Sequence, residues 1–336
     1  MRTRVLFAAL IAANILAWIW AFAAFADHPA LLGTGLLAWV FGLRHALDAD
    51  HIAAIDNVVR RLPRSGRSGG LGPAGTGLWF SLGHSSIVIA AAGALAVGAA
   101  ATKGTLPALA RAGAVLGTAV SGLFLLAIAA MNLWLLRDIW RTLRRARAGE
   151  PAAALDTVLA GGPLARLLRP LLAAIDAPWR MYPIGVLFGL GFDTATEIGL
   201  LAIAAGAAMG GMTPWQTMVF PALFTAGMTL LDSADSALMV GAYGWAFADP
   251  LRKLWYNLTM TVASVLVAVF VGLIETLGLI GGAWHLDGPL WGAVAGLNDN
   301  MSAFGLTVIA MFATCWAVSA LLYRRLAPQP NRAAGP

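Results

Sequence analysis

Apolar runs long enough to cross a bilayer recur from one end of the chain to the other. This repetition constrains the fold more than any single motif. Crossing a hydrocarbon core takes about 20 apolar residues in an α-helix. Runs of that size lie near 5–25, 31–58, 77–101, 108–136, 181–208, 215–247, 255–282 and 303–323. They predict an all-α, polytopic membrane protein of about eight transmembrane helices, since a helix satisfies its own backbone polar groups inside lipid. Several runs exceed the minimum, which predicts tilt or interruption. Only 11% of the residues are charged, whereas soluble domains carry about 25%. No stretch is long and polar enough for a separate soluble domain. Residues 1–336 therefore read as one membrane domain, with a basic segment at 137–180 joining two halves.

The first apolar run imitates a secretory signal, with basic residues before it and small residues ahead of Asp27. Signal cores are about 7–15 residues long, shorter than this run, so it reads as a retained first helix. A lone cysteine, Cys315, excludes an internal disulfide or a thiolate cluster. The formal charge of +6 is a topology signal. With both termini in the cytoplasm, 19 of the 22 Lys and Arg residues fall on that side, the exceptions being Arg44, Lys103 and Arg111. Cytoplasmic loops retain Lys and Arg in this way. The basic residues are spread over several loops rather than gathered on one face, which argues against a nucleic-acid partner. Nothing in the chain implies an obligate protein partner.

Against this background, ionisable residues inside the runs stand out. Half of the 16 acidic residues lie there: Asp48, Asp50, Asp56, Asp193, Glu197, Asp232, Asp235 and Glu275, together with His45, His51 and His84. Each costs at least ~2.5 kcal/mol at mid-bilayer unless it faces a partner, water or a cation. Asp193 and Glu197 are four apart, and Asp232 and Asp235 three apart, so each pair shares a helix face. On an unbroken helix, His45, Asp48 and His51 cover an arc of about 120°, with Asp50 pointing elsewhere. Imidazole with carboxylate, without thiolate, suits borderline divalent metals such as Ni²⁺, Co²⁺ or Zn²⁺. The candidate metal residues are thus His45, Asp48, Asp50, His51, His84, Asp193, Glu197, Asp232 and Asp235. Arg44 balances the neighbouring carboxylates. Asp56 and Glu275 read as isolated residues without a site role, and His28 and His285 as loop residues.

The segments "FGLRHALDADHIAA" (41–54) and "FGLGFDTATEIGLL" (188–201) echo one another, placing Asp50 opposite Glu197. A second polar cluster follows each, "SLGHSS" and "LLDSADS". The two copies run in opposite directions through the predicted topology, a plan common among secondary transporters.

"RHALDADHI" (44–52), with its His-x4-Asp-His core, resembles the signature of the nickel/cobalt transporter family. "FSLGHSSIV" (80–88), "LGFDTATEIG" (190–199) and "GMTLLDSADS" (227–236) are similar to that family's other motifs, in the same order. The resemblance implies a single-component permease importing Ni²⁺ and/or Co²⁺ across the cytoplasmic membrane, without a cofactor. It implies that His45, Asp50 and His51 are needed for transport, and it places Asn14 where the family carries a helix-one asparagine near this motif. Leu47, Ser86 and Ser233 depart from the usual residues but keep size or hydroxyl chemistry.

Two other readings remain open at this level. An exporter conferring metal resistance would use the same residues. A membrane acyltransferase also uses His-x4-Asp, with the histidine as general base. It would need a basic phosphate-binding motif beside the histidine and would leave the remaining carboxylates without a role.

Overall fold

The expected span over 31–58 is two helices rather than one, and its break falls inside the polar motif. α2 (Leu31–His45) ends and α3 (Ala49–Val59) begins after a short kink. Leu47 and Asp48 donate their N–H groups to the carbonyls of Arg44 and His45, which tightens the last turn of α2. Asp48 then adopts an extended conformation, with φ −64° and ψ 142°. Aspartate favours the position before a helix, where its side chain usually caps the free N–H groups. Here the Asp48 side chain makes no such cap and binds His45 instead. The histidine contact thus replaces the ordinary helix cap.

This computed structural model describes residues 2–60, 62, 71–98, 106–147, 176–190, 195–246, 250–301, 303–311 and 313–314. Asp193 and residues 148–175 of the long basic segment lie outside the described residues. All regular secondary structure among those described is helical. α1 (Arg2–Ala24) precedes the broken pair. α4 (Thr76–Gly98) and α5 (Leu106–Arg147) complete the first half. The second half contains α6 (Met181–Gly189), α7 (Ala195–Met209), α8 (Val219–Ala246), α9 (Pro250–Ala283) and α10 (Pro289–Asp299). A further helical stretch covers 303–311. The expected span over 181–208 is also divided, into α6 and α7. Among the described residues, five helices are long and apolar enough to cross a membrane: those of α1, α4, α5, α8 and α9. The remaining expected spans are the two divided ones and the segment over 303–323, of which only part is described.

Close backbone contacts lock the broken helices to unbroken ones. α2 packs on α8, and α6 packs on α4. A Cβ added at Gly42 would collide with the Phe224 carbonyl, and one at Gly227 with the Trp39 carbonyl. The other crossing is built alike: Gly185 and Gly189 lie against the backbone of Phe80 and His84, and Gly83 against the Tyr182 carbonyl. Small residues bring helices together where burial of apolar surface supplies little drive. The echo at Phe41–Gly42 and Phe188–Gly189 is therefore matched by "FSLG" (80–83) and "FTAG" (224–227) on the partner helices.

Asn14 ties α1 to this core. Its Nδ2 donates to the carbonyls of Leu10 (2.9 Å) and Ala226 (3.1 Å), and its Oδ1 accepts from the Trp39 indole at 2.9 Å. α5 and α9 pack together on the other side, where Leu125, Val267 and Val271 meet Ile52, Ile55 and Phe80. Large apolar side chains such as Ile15, Leu16 and Phe22 on α1, and Leu266 on α9, are more than half exposed. Histidine and carboxylate are buried in their place. Polar inside and apolar outside is the arrangement a lipid-solvated bundle requires.

Candidate metal centre

Three imidazoles from two segments meet where the kink faces α4. His45 ends α2, His51 lies in the first turn of α3, and His84 sits midway along α4. All three are buried, with at most 2% exposure. Their ring centroids are 4.6 Å (His45–His51), 4.7 Å (His45–His84) and 5.1 Å (His51–His84) apart. One nitrogen from each lies within 4.8 Å of the others. Without the kink, the backbone could not fold the end of α2 over the start of α3. The irregularity around Asp48 is what brings His45 and His51 together.

Carboxylates stand behind two of the rings, and a third joins the cluster beside His84. His45 Nδ1 donates to Asp48 Oδ2 at 2.9 Å, and Thr196 Oγ1 lies 3.2 Å from the same nitrogen. In the neutral ring, that bond leaves the lone pair on Nε2, which faces His84. His51 Nδ1 lies 3.3 Å from Asp232 Oδ2, which also accepts from Ser81 Oγ at 2.5 Å. The buried His51 Nε2 has no hydrogen-bond partner. His84 Nε2 is 2.8 Å from Glu197 Oε1. His45 and His51 are each held by a carboxylate on Nδ1 with Nε2 turned to the cluster, the usual arrangement of a metal-binding imidazole. Glu197 instead meets His84 at the same nitrogen that faces His45, and the buried His84 Nδ1 has no hydrogen-bond partner.

The distance between His45 Nε2 and His84 Nε2 is 3.0 Å. Two nitrogens so close cannot both carry hydrogens toward each other, so at most one proton lies between them. At a metal–nitrogen distance of about 2.0–2.1 Å, two adjacent ligands sit about 2.9–3.4 Å apart. The pair is therefore already spaced to hold one ion in place of that proton. Opposite ligands of such an ion are about 4.2 Å apart, so the 4.8 Å spread needs only a small inward rotation. Neutral imidazole and carboxylate suit borderline first-row divalent ions.

The structure brings together His45, Asp48, His51, His84, Glu197 and Asp232 from the sequence candidates. Asp50 lies on α3 but lines a neighbouring cavity with Arg44 and Asp48. Asp235 is one turn beyond Asp232, half-buried, and its Oδ2 has no hydrogen-bond partner. Neither Thr196 nor Ser81 is among the sequence candidates. Ser81 precedes His84 by three residues and so shares its face, a signal that was legible. Thr196 is brought in by the tertiary fold alone. Asp56, set aside above, accepts from Ser264 Oγ at 2.6 Å, and Glu275 lines the cavity.

The profile of the NicO family, described as high-affinity nickel-transport protein, matches residues 31–322. The chain belongs to the NicO family. It is 57% identical to the hydrogenase nickel incorporation protein HupN of Bradyrhizobium diazoefficiens, over 96% of this chain and 84% of that protein. It is 53% identical to the high-affinity nickel transport protein of Cupriavidus necator, over 95% of this chain and 91% of that one. A cobalt transport protein, NhlF of Rhodococcus rhodochrous, is 38% identical over 90% and 85% respectively. No solved structure matches the chain. The family and these relatives are transport proteins, which removes the acyltransferase reading, and with five membrane-length helices this NicO chain is a multi-pass membrane protein.

Proposed function

We propose that this NicO protein imports divalent nickel and/or cobalt across the cytoplasmic membrane, binding the dehydrated ion at His45, His51 and His84. The observation that carries this reading is the 3.0 Å approach of two histidine nitrogens inside a buried, carboxylate-backed cluster. The names of the relatives support the choice of cargo. Asp48 and Asp232 orient His45 and His51, Glu197 joins His84 within the cluster, and Asp235 lines the path. Arg44 offsets the carboxylates at the mouth of the site. Asp50 guides the ion toward the histidines rather than joining them.

Each divided helix pair counts as one crossing, and the segment from 303 onward as another, so the chain crosses eight times. Residues 1–336 form one permease unit. Both termini and the basic 137–180 segment then lie in the cytoplasm, as the placement of Lys and Arg favours. The site lies at broken helices in the middle of the bundle, the plan by which secondary transporters expose a site alternately to each side. Release requires that binding be selective without being too tight.

Uptake of radiolabelled Ni²⁺ and Co²⁺ into cells carrying the wild type or His51→Ala tests the assignment. The wild type accumulates metal and the variant does not. Equal accumulation in both would remove His51 from the mechanism, and net loss of metal from wild-type cells would indicate export.

A further inference from the structure

A cavity of about 730 Å³ adjoins the histidine cluster through Asp48 and Thr196, the two residues that touch His45 Nδ1. Its described wall carries five carboxylates, Asp48, Asp50, Glu275, Asp287 and Asp299, against a single guanidinium, Arg44. Glu275 is the unexpected member. It belongs to α9, outside the four motif segments, and is only 7% exposed within a membrane-length helix. A carboxylate held there needs a partner, an ion or a water-filled space, and this one borders the cavity. Asp287 and Asp299 are exposed at the rim.

The roof of the cavity is α10. It closes down on α9 because two glycines leave room for it: Trp291 lies against Gly281, and Asn298 against Gly278. Asn298 Nδ2 donates to the Ile274 carbonyl at 3.2 Å, beside Glu275. Volume separates the roles of the two compartments. Six waters occupy about 180 Å³ at about 30 Å³ each, so the cavity holds a fully hydrated divalent ion with space to spare. The histidine cluster, whose nitrogens lie within 4.8 Å of one another, does not.

We propose that this cavity is an antechamber in which Glu275, with Asp287 and Asp299 at the rim, holds the still-hydrated divalent cation before its water is removed at the histidines. The inference rests on the metal-import reading and deepens it. Carboxylates acting through a water shell attract by charge, with little choice among divalent ions, and selection follows only where imidazoles replace water. A cleft lined by one sign of charge raises the local concentration of the opposite ion.

Thiol labelling of the full-length chain in membrane vesicles tests this without relying on transport. Ala295, in the cavity wall, is changed to Cys with the native thiol removed by Cys315→Ser. A cationic methanethiosulfonate reagent is expected to react about tenfold faster than an anionic one of similar size. Glu275→Gln combined with Asp287→Asn and Asp299→Asn should remove most of that preference, and Mg²⁺ and Ni²⁺ should slow labelling alike. His51→Ala should leave the preference intact, so failure of the histidine site and failure of the antechamber give different results. Ala283→Cys, also in the wall, serves if Ala295→Cys does not fold. In uptake, Glu275→Gln should raise the half-saturating Ni²⁺ several-fold at an unchanged maximal rate. Equal reaction of the two reagents, a preference insensitive to the three neutralisations, or a fall in maximal rate alone would overturn the proposal.

Discussion

At the level of single residues, the histidines are held as much by what lies behind them as by one another. His45 leans on Asp48 and His51 on Asp232, each through Nδ1, while Glu197 meets His84 at the nitrogen that faces His45. Removing such a backing carboxylate usually weakens metal binding about 10–100-fold. Asp48→Asn and Asp232→Asn are each expected to lower the equilibrium affinity of the purified protein for Ni²⁺ in that range by calorimetry. Asp50→Asn should behave differently, slowing uptake while leaving equilibrium binding nearly unchanged, because its side chain faces the cavity. The ionisable residues themselves were legible in the sequence, since charge inside an apolar run is costly. Their pairing was not. Glu197 and His84 are 113 positions apart and Asp232 and His51 are 181 apart, and helical spacing relates only residues three or four apart.

At the level of elements, the two divided helices decide the geometry. An unbroken helix over 31–58 would spread His45 and His51 over an arc of about 120°. The kink at Ala46–Asp48 folds them together and leaves Asp50 lining the neighbouring cavity. The glycines at the crossings then fix how near each broken helix comes to its neighbour. Gly42→Ala would press a methyl group into the Phe224 carbonyl. Such overpacking costs about 1–3 kcal/mol, and a lower melting temperature in detergent, with weakened Ni²⁺ binding, is expected. Gly33→Ala is a control, because nothing lies within 4 Å of the added carbon. Beyond the cluster, α3 is tied to its surroundings by polar contacts. Asp56 meets Ser264, Asn57 meets Asn132, and Arg60 donates to Thr261 Oγ1 at 3.1 Å. Asp56 therefore has a packing role that its position in the sequence did not disclose.

At the level of the whole molecule, a ligand that binds only the folded state stabilises it by about 2.7 kcal/mol at a hundredfold excess over its dissociation constant. Ni²⁺ should therefore raise the melting temperature of the wild type, a chelator should reverse the shift, and His51→Ala should show neither effect. Reporter fusions after residues 27, 147 and 285 test orientation, and the first and last are expected outside. The sequence alone determined that the chain is helical, crosses the membrane repeatedly and carries imidazole and carboxylate side chains within its apolar runs. Those conclusions follow from local costs: unsatisfied backbone and uncompensated charge are prohibitive in lipid wherever the rest of the chain lies. The tertiary structure decided where helices break, which carboxylate backs which histidine, and that Glu275 shares a cavity with Asp48 and Asp50. Those features depend on distances between segments far apart in the chain, and such distances are set by packing of backbones at the glycine crossings rather than by any local pattern.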